Sequence, residues 1–316
     1  MIDSILLVSR QVGVLFALMA VGFLCNKRRL LDETAVKGMT ELLVLVVTPC
    51  IIVHSFLQQT FAPSLLGDLG WALAASAFAQ VAGTVLAVIF LRGGDPRREG
   101  VMRFAVVFSN AGFMGIPLEN ALLGADGVFF GAMYVVVFNL TCWSLGVAMM
   151  CRGAGGAGWR SLLVNPGTVG VSIGFPLFLF SVELPEVAAR PVEMLADLNT
   201  PLAMIMAGWY LAKTDLRAVL RRRAAYGVAV LRLVAAPIAV VGALAGLRTL
   251  VPALNPTMCE AVTIAAAAPV AALTTVIAAR YDRDVSTATG LVAGTTLLSI
   301  ATMPPIVGFA MWLFGR

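Results

Sequence analysis

Apolar runs of about 20 residues follow one another along almost the whole chain, with only short polar connections between them. A helix of that length crosses the roughly 30 Å hydrocarbon core of a bilayer, where each backbone polar group must find a partner inside the protein. Only 12% of the 316 residues are charged, against roughly 25% in a soluble domain. The sequence therefore predicts an all-α integral membrane protein with no separate soluble domain.

Ten transmembrane spans fit this pattern. They cover residues 4–26, 36–58, 67–91, 99–123, 126–151, 162–182, 190–213, 224–248, 257–281 and 286–314. The glycine-rich run 153–158 makes the connection near the middle of the chain the most flexible one.

Basic residues in the connections fall almost entirely on one side of these spans. Seventeen lie on that side, and only Arg190, Arg248 and Arg316 lie on the other. Cytoplasmic loops are enriched in Lys and Arg, so we expect both termini outside the cytoplasm in a multi-pass protein of the cell membrane. The net charge of +5 is modest, and the basic residues lie in short connections, so they indicate orientation in the membrane and not binding to nucleic acid.

The sequence predicts neither an enzyme nor a cofactor or metal site. It contains a single histidine, His54, and no HExxH, P-loop or GxSxG motif. With no ATP-binding motif, any active transport would draw on an ion gradient or the membrane potential. The five cysteines form no CxxC and are expected to be free thiols: Cys25, Cys50, Cys142, Cys151 and Cys259.

Two pairs of similar segments indicate an internal repeat. Thr48-Pro49 in span two matches Thr200-Pro201 in span seven, and Ser109-Asn110 in span four aligns with Pro269-Val270 in span nine. We expect a 5+5 repeat, with residues 1–151 as the first half and 162–316 as the second. Because five is odd, the halves would have opposite orientations, which is the inverted-topology repeat of many secondary transporters.

Spans four and nine should be broken helices. Gly112, Gly115 and Pro117 weaken the first helix, and Pro269 interrupts the second. Irregular backbone at membrane depth lies beside protein or a water-filled cavity, and broken helices at matching repeat positions indicate a substrate site. Since helix N-termini attract anions, the expected ligand is an anion, with Asn110 either contacting it or capping the unwound turn.

Other polar groups at membrane depth leave alternatives open. Arg232 could attract an anion or serve the structure, and Arg10 could snorkel or pair. Asn139 and Asn199 are expected to hydrogen-bond between helices. A coupling proton could be carried by any of several groups: Glu41, Glu119, Asp197, Glu260 and His54.

Several segments resemble the auxin efflux carrier family, which includes plant PIN-type exporters and bacterial members. They are FSNAGFMGIPLENALLG (108–124), NPGTVGVSIGFPL (165–177), NTPLAMIMAGWYLA (199–212) and APVAALTTVIAARYDRDVSTATGLV (268–292). The resemblance implies the ten-helix fold of bile-acid:sodium symporters. In that fold helices 1, 2, 6 and 7 form a scaffold, and helices 3–5 and 8–10 form a transport domain around the crossover of helices 4 and 9.

The family's crossover asparagine carries over to Asn110, and its ninth-helix proline to Pro269. Plant members have a proline where this chain has Ser109, and they carry a long central loop that is absent here. Both departures weaken the case for auxin itself. Bacterial members are associated with small carboxylates such as malonate and malate.

The resulting hypothesis is a secondary transporter that moves a small organic anion by elevator-like alternating access. The alternatives are an exporter of auxin-like aromatic carboxylates, an anion channel or facilitator, and a non-transporting membrane sensor. A coupling proton or sodium ion and a homodimer stay open. The candidate substrate-binding residues are Asn110, Ser109, Ala111, Gly112, Pro117, Pro269, Val270 and Arg232, with Pro49, Cys50 and Val53 of the scaffold as the facing wall.

The charge distribution yields a direct test of topology. Tags at either terminus of the protein in intact cells should react with membrane-impermeant reagents, because the basic connections hold the opposite side in the cytoplasm. A C-terminal tag that reacts only after the cells are permeabilised would contradict the ten-span interpretation.

Overall fold

The computed structural model describes residues 2–59, 61–92, 95–151, 166–213 and 223–315. Within these ranges the chain is helical and forms no strand. Six of the described helices are long and apolar enough to cross a membrane: Ile2–Lys27, Glu33–Leu57, Leu65–Phe90, Ala111–Thr141, Ala225–Leu250 and Val285–Phe314. The all-α membrane class is thereby confirmed. The glycine-rich run 153–158 and the first residues of predicted span six lie outside the described residues.

The helices are numbered in chain order. They are α1 (Ile2–Lys27), α2 (Glu33–Leu57), α3 (Pro63–Phe90), α4 (Pro96–Val107), α5 (111–123), α6 (125–141), α7 (Val147–Cys151), α8 (Pro166–Leu179), α9 (Glu186–Asp197), α10 (Asn199–Ala212), α11 (Ala225–Leu250), α12 (Pro256–Ala267), α13 (Leu273–Arg280) and α14 (Val285–Phe314). Capping side chains fix where four of them begin, each accepting a bond from a first-turn N–H group. These caps are Asp32, Asp95, Asn255 and Asp284.

The segment Ala111–Thr141 is two helices that turn back on each other at Gly124. Gly124 has φ +67°, a conformation that glycine adopts readily. An ideal Cβ on Gly131 would lie only 1.8 Å from Oε2 of Glu119. In one straight helix these two residues would be about 18 Å apart along the axis, so the contact requires the chain to reverse. The structure thus separates α5 from α6, at the boundary expected between spans four and five.

Prolines account for three of the π turns in the long helices, and a fourth π turn, Cys142–Gly146 between α6 and α7, has no proline in the helix that follows it. Proline has no N–H group, and its ring clashes with the carbonyl four residues earlier, so the backbone before it widens. Three π turns each end two residues before a proline: Leu43–Val47 before Pro49, Ala111–Gly115 before Pro117, and Leu231–Ala235 before Pro237.

Predicted span seven requires a correction. The sequence predicts one helix over 190–213, yet the structure has two helices, α9 and α10, that meet at Leu198. Pro201 is the cause, because it has no N–H group to bond the Asp197 carbonyl four residues before it. The Thr-Pro pairs of α2 and α10 therefore both lie at helix irregularities.

Glycines bring α1 and α10 into backbone contact. An ideal Cβ on Gly22 would lie 1.8 Å from the carbonyl oxygen of Ile205, and one on Gly208 would lie 1.8 Å from that of Met19. This reciprocal arrangement is the small-residue packing expected between helices in lipid. It fixes α1 and α10 as one unit.

A similar contact joins α2 to α8. Gly170 packs against Pro49 and Ile52, and Gly174 packs against Phe56. Phe56 also lies in an aromatic cluster with Phe129 and Phe178, with ring centroids 5.0–6.1 Å apart. This cluster connects α2 and α8 to the buried helix α6.

Polar contacts join several of the connections. Lys213 pairs with Glu33 at 2.8 Å, Arg97 pairs with Asp282 at 3.3 Å, and the Gln59 amide donates to Asp126 at 2.6 Å. Each pair joins residues that the predicted topology places on the same side of the membrane, and that topology stays a prediction.

Gly22 offers a matched test of the α1–α10 contact. Gly22→Ala should destabilise the protein by about 1–3 kcal/mol, because the added methyl group overlaps the Ile205 carbonyl. The control is Gly13→Ala in the same helix, where the added methyl group would meet nothing within 4 Å. Thermal unfolding in detergent measures both variants, and equal midpoints would contradict the close packing.

Candidate functional site

The two helix interruptions lie side by side. α4 ends at Val107 and α5 begins at Ala111, while α12 ends at Ala267 and α13 begins at Leu273. Ser109 and Val270 form an antiparallel bridge between the two interruptions. The Asn110 N–H donates to the Pro269 carbonyl at 2.6 Å, and the Ala271 N–H donates to the Phe108 carbonyl at 2.9 Å. The segments aligned by sequence thus satisfy each other's unwound backbone.

Arg232 binds the C-terminal ends of both interrupted helices. Its Nη1 donates to the carbonyls of Val106 at 3.0 Å and Val107 at 3.1 Å, and its Nη2 donates to the carbonyl of Ala266. The side chain is buried, with 2% of its surface exposed. A helix C-terminus carries roughly half a negative elementary charge, so one guanidinium offsets two of them. These partners are structural, and direct contact of Arg232 with substrate stays a prediction.

The N-terminal ends of α5 and α13 have no such counter-charge. The N–H groups of Ala111, Gly112 and Phe113 have no acceptor among the described residues, and neither do those of Ala272 and Leu273. Each end carries roughly half a positive elementary charge. Both helices begin within three residues of the Ser109–Val270 bridge, so about one positive charge is concentrated beside it.

Asn110 presents an uncommitted amide at this point. It is the residue before α5, yet its side chain caps no N–H group there, so the alternative of a local cap is wrong. The side chain is partly exposed and makes no hydrogen bond to a described residue. Gly112 borders open space, since a Cβ there would meet nothing within 4 Å. The break therefore offers donors and room for a small ligand.

The other predicted crossover residues line the back of the break. Ser109, Ala111, Pro117, Pro269 and Val270 are all buried. The structure brings these residues together around Asn110 and Gly112, with Pro117 farther along α5.

The expected scaffold wall lies on α2. Pro49 and Cys50 are partly exposed, whereas Val53 is buried at 7% exposure against other helices. α2 packs on α6 and α8, and α10 packs on the π turn Ala111–Gly115. A facing wall formed by these three residues stays a prediction.

Two hydroxyl groups at the break were missed by the sequence reasoning. Ser109 Oγ donates to the Tyr134 hydroxyl at 3.2 Å, and that hydroxyl also lies beside the Arg232 guanidinium. The Val270 N–H donates to Thr295 Oγ1 at 3.1 Å. Tyr134 and Thr295 lie in apolar spans. The only sequence signal for either was a hydroxyl group within an apolar run.

Most of the remaining polar candidates are exposed or interact with groups outside the break. Arg10, Glu41 and Asp197 are exposed, and Glu260 lies close to Arg248. Asn139 donates to the Val135 carbonyl of its own helix at 2.9 Å, so the interhelical bond expected for it is absent. Glu119 is the exception, being fully buried in α5.

An all-helical chain with six apolar spans and an unwound interior is a multi-pass membrane protein, with an architecture typical of transporters. The profile of the membrane transport protein family matches residues 7–157 and 150–307, nearly the whole chain. The chain belongs to this family, which is the auxin efflux carrier family, and the resemblance is thereby confirmed. It is therefore a membrane transporter. A comparison with curated proteins finds no match.

The partners of Arg232 predict a stability defect. Arg232→Met should destabilise the protein by roughly 3–5 kcal/mol, because three carbonyls at two helix ends lose their charged donor. Arg190→Met is the control, since its exposed pair with Glu193 should contribute less than about 1 kcal/mol. Unfolding by heat or denaturant in detergent measures both. A stable Arg232→Met protein with weakened substrate binding would instead make Arg232 a ligand.

Proposed function

We propose that this protein is a secondary transporter of a small organic anion, a carboxylate such as malonate or malate, across the cytoplasmic membrane. The observation that carries the proposal is that a charged side chain compensates the negative helix ends at the break but not the positive ones. Arg232 compensates the two negative ends, while the two positive ends face the free amide of Asn110 and the space at Gly112. The carboxylate accepts bonds from these N–H groups and from Asn110.

Charge complementarity favours an anion over a cation. The two N-terminal ends together supply about one positive charge, in surroundings where little water screens it. Between Ser109 and Pro117, and between Ala265 and Thr275, the sequence contains no acid. A cation there would meet positive dipole ends and no carboxylate, whereas one carboxylate group matches the charge and the donors.

The proposal includes ten spans arranged as an inverted repeat. Three features support it: the antiparallel pairing of Ser109 with Val270, the irregularities at the two Thr-Pro pairs, and the reversal at Gly124. The Ser109–Val270 pairing and the two Thr-Pro pairs each relate residues of the first repeat to matching residues of the second repeat. Opposed halves with broken helices are the usual design of transporters with a midplane site.

The proposed movement is elevator-like. α1, α2 and α8–α10 form the scaffold, in which glycine contacts join α1 to α10 and α2 to α8. α3–α7 and α11–α14 form the transport domain, in which Arg232 ties α11 to α4 and α12. Because the break is braced within one domain, the bound anion travels with that domain past the wall at Pro49, Cys50 and Val53.

Asn110 provides the test. Asn110→Leu should abolish carboxylate uptake into proteoliposomes, because the anion loses a donor and gains an apolar neighbour at its binding point. The fold should survive, since the wild-type amide bonds no described residue. Asn139→Leu serves as the control for loss of an amide away from the break.

The assay also separates the alternatives. Uptake against a concentration gradient excludes a channel or facilitator. Wild-type flux in Asn110→Leu would remove Asn110 from the site, and selective uptake of an organic cation would overturn the proposed function.

A further inference from the structure

The side chain of Glu119 ends in a carboxyl group that is buried in α5 without a partner among the described residues. Its side chain has 0% exposure, and neither oxygen makes a hydrogen bond or an ion pair with any described residue. An ionised carboxylate in such a place is strongly disfavoured, and a group so placed takes up a proton instead. The observed position is therefore one for the neutral acid.

Glycines make the room that the carboxyl group occupies. An ideal Cβ on Gly131 would lie 1.8 Å from Oε2, and one on Gly115 would lie 3.7 Å from Oε1. Gly115 in turn lies against Ala265 of α12, at 3.5 Å from its ideal Cβ to the Ala265 Cα. The group thus sits in a fitted niche between α5, α6 and α12, inside the set of helices that holds the break.

No described residue places a compensating charge against the Glu119 carboxyl group. Neighbouring helices carry other ionisable groups, but none forms a hydrogen bond or salt bridge with Glu119 in the described structure. Glu260 lies near Arg248 instead, and Arg232 is bound to helix carbonyls. The ionisable groups on the helices that pack against α5 and α6 are Asp3, Arg10, Cys25 and Lys27 on α1, Glu33, Lys37, Glu41, Cys50 and His54 on α2, Asp68 on α3, Asp126 and Tyr134 on α6, Tyr210 on α10, and Cys259 and Glu260 on α12.

We propose that Glu119 is the proton-binding site that couples a proton to anion transport. One carboxylate oxygen of Glu119 takes up a proton when the transport domain is open to water. The proton stays on the buried carboxyl group while the transport domain moves. This inference rests on the proposed function, because it takes the substrate to be an anion held at the N-terminus of α5.

The sign of the coupling follows from position. Glu119 lies eight residues beyond Ala111, about 12 Å along the helix whose N-terminus would bind the substrate. A negative charge at that distance weakens binding of an anion by about tenfold at an effective dielectric constant of about 20. Protonation removes that repulsion, so the proton and the anion bind together and move in the same direction.

A metal cation fits this niche poorly. Hard cations require several oxygen ligands, and among the described residues no three His, Cys, Asp or Glu side chains converge on any point. A proton needs only the one carboxyl group that is present. Sodium dependence is therefore an outcome that the test must be able to detect.

The experiment measures substrate affinity against pH in the purified full-length protein. The substrates are malonate and malate, used above their own pKa values, with and without sodium. Wild-type affinity should fall about tenfold as the pH rises. Glu119→Gln, which imitates the protonated acid, should keep high affinity at every pH, and Glu119→Asp should retain the pH dependence. Glu41→Gln is the matched control, because Glu41 is exposed, and it should behave as the wild type does.

A second measurement uses the unaltered protein and so does not depend on a variant folding. Adding substrate to the wild type in weakly buffered solution, at the high-pH end where Glu119 is ionised before substrate binds and affinity is low, should draw protons from the medium, up to one per anion bound, as a pH-sensitive dye reports. Asn110→Leu sets the baseline.

The outcomes separate this inference from the proposed function. Carboxylate binding with no proton uptake, with unchanged pH dependence in Glu119→Gln, or with dependence on sodium instead of pH overturns the role of Glu119 alone. If the wild type binds no carboxylate at all, the proposed function fails and this inference fails with it.

Discussion

The structure depends on one buried cation, Arg232, and the three carbonyls that it binds. Two helices that stop in the middle of a membrane protein leave carbonyls and negative dipole ends where no water can satisfy them. A single guanidinium, with its several donors in a fixed plane, meets both ends at once. The π turn that holds Arg232 in α11 precedes Pro237, so the helix irregularity and the placement of the charge lie together.

This arrangement compensates the negative helix ends at the break and leaves the positive ones uncompensated. Arg232 of α11 binds the negative helix ends. The positive ends of α5 and α13 stay available to a ligand on the side of Asn110 and Gly112. The backbone pairing of Ser109 with Val270 keeps the two positive ends together without using their first N–H groups. In the proposed function, such a site would attract an anion through the helix ends themselves, with no lysine or arginine side chain in contact with the ligand.

Much of the architecture could be predicted from the sequence because the bilayer imposes its rules on composition. Apolar length located the long helices, the glycines and Pro117 marked the first interruption, and Pro269 marked the second. Asn110 stood out as an amide at the break. The division at Leu198 was missed, although Pro201 causes it, because a proline in a lipid-facing run often only bends the helix.

The roles of individual buried polar groups could not be predicted, because they depend on contacts between distant segments. The sequence shows that Arg232 lies at depth, but its carbonyl partners lie 34–126 residues away. The Tyr134 hydroxyl reaches Ser109 only because the chain reverses at Gly124. The niche of Glu119 likewise exists only because that reversal places Gly131 opposite the carboxyl group.

The most direct test of the central claim is an experimental structure of the protein with a bound dicarboxylate. The account predicts one carboxylate group within hydrogen-bonding distance of the Asn110 amide and of N–H groups at the start of α5 or α13, with Arg232 still bound to the carbonyls of α4 and α12. A carboxylate bound to the Arg232 guanidinium, or held away from both helix N-termini, would contradict it.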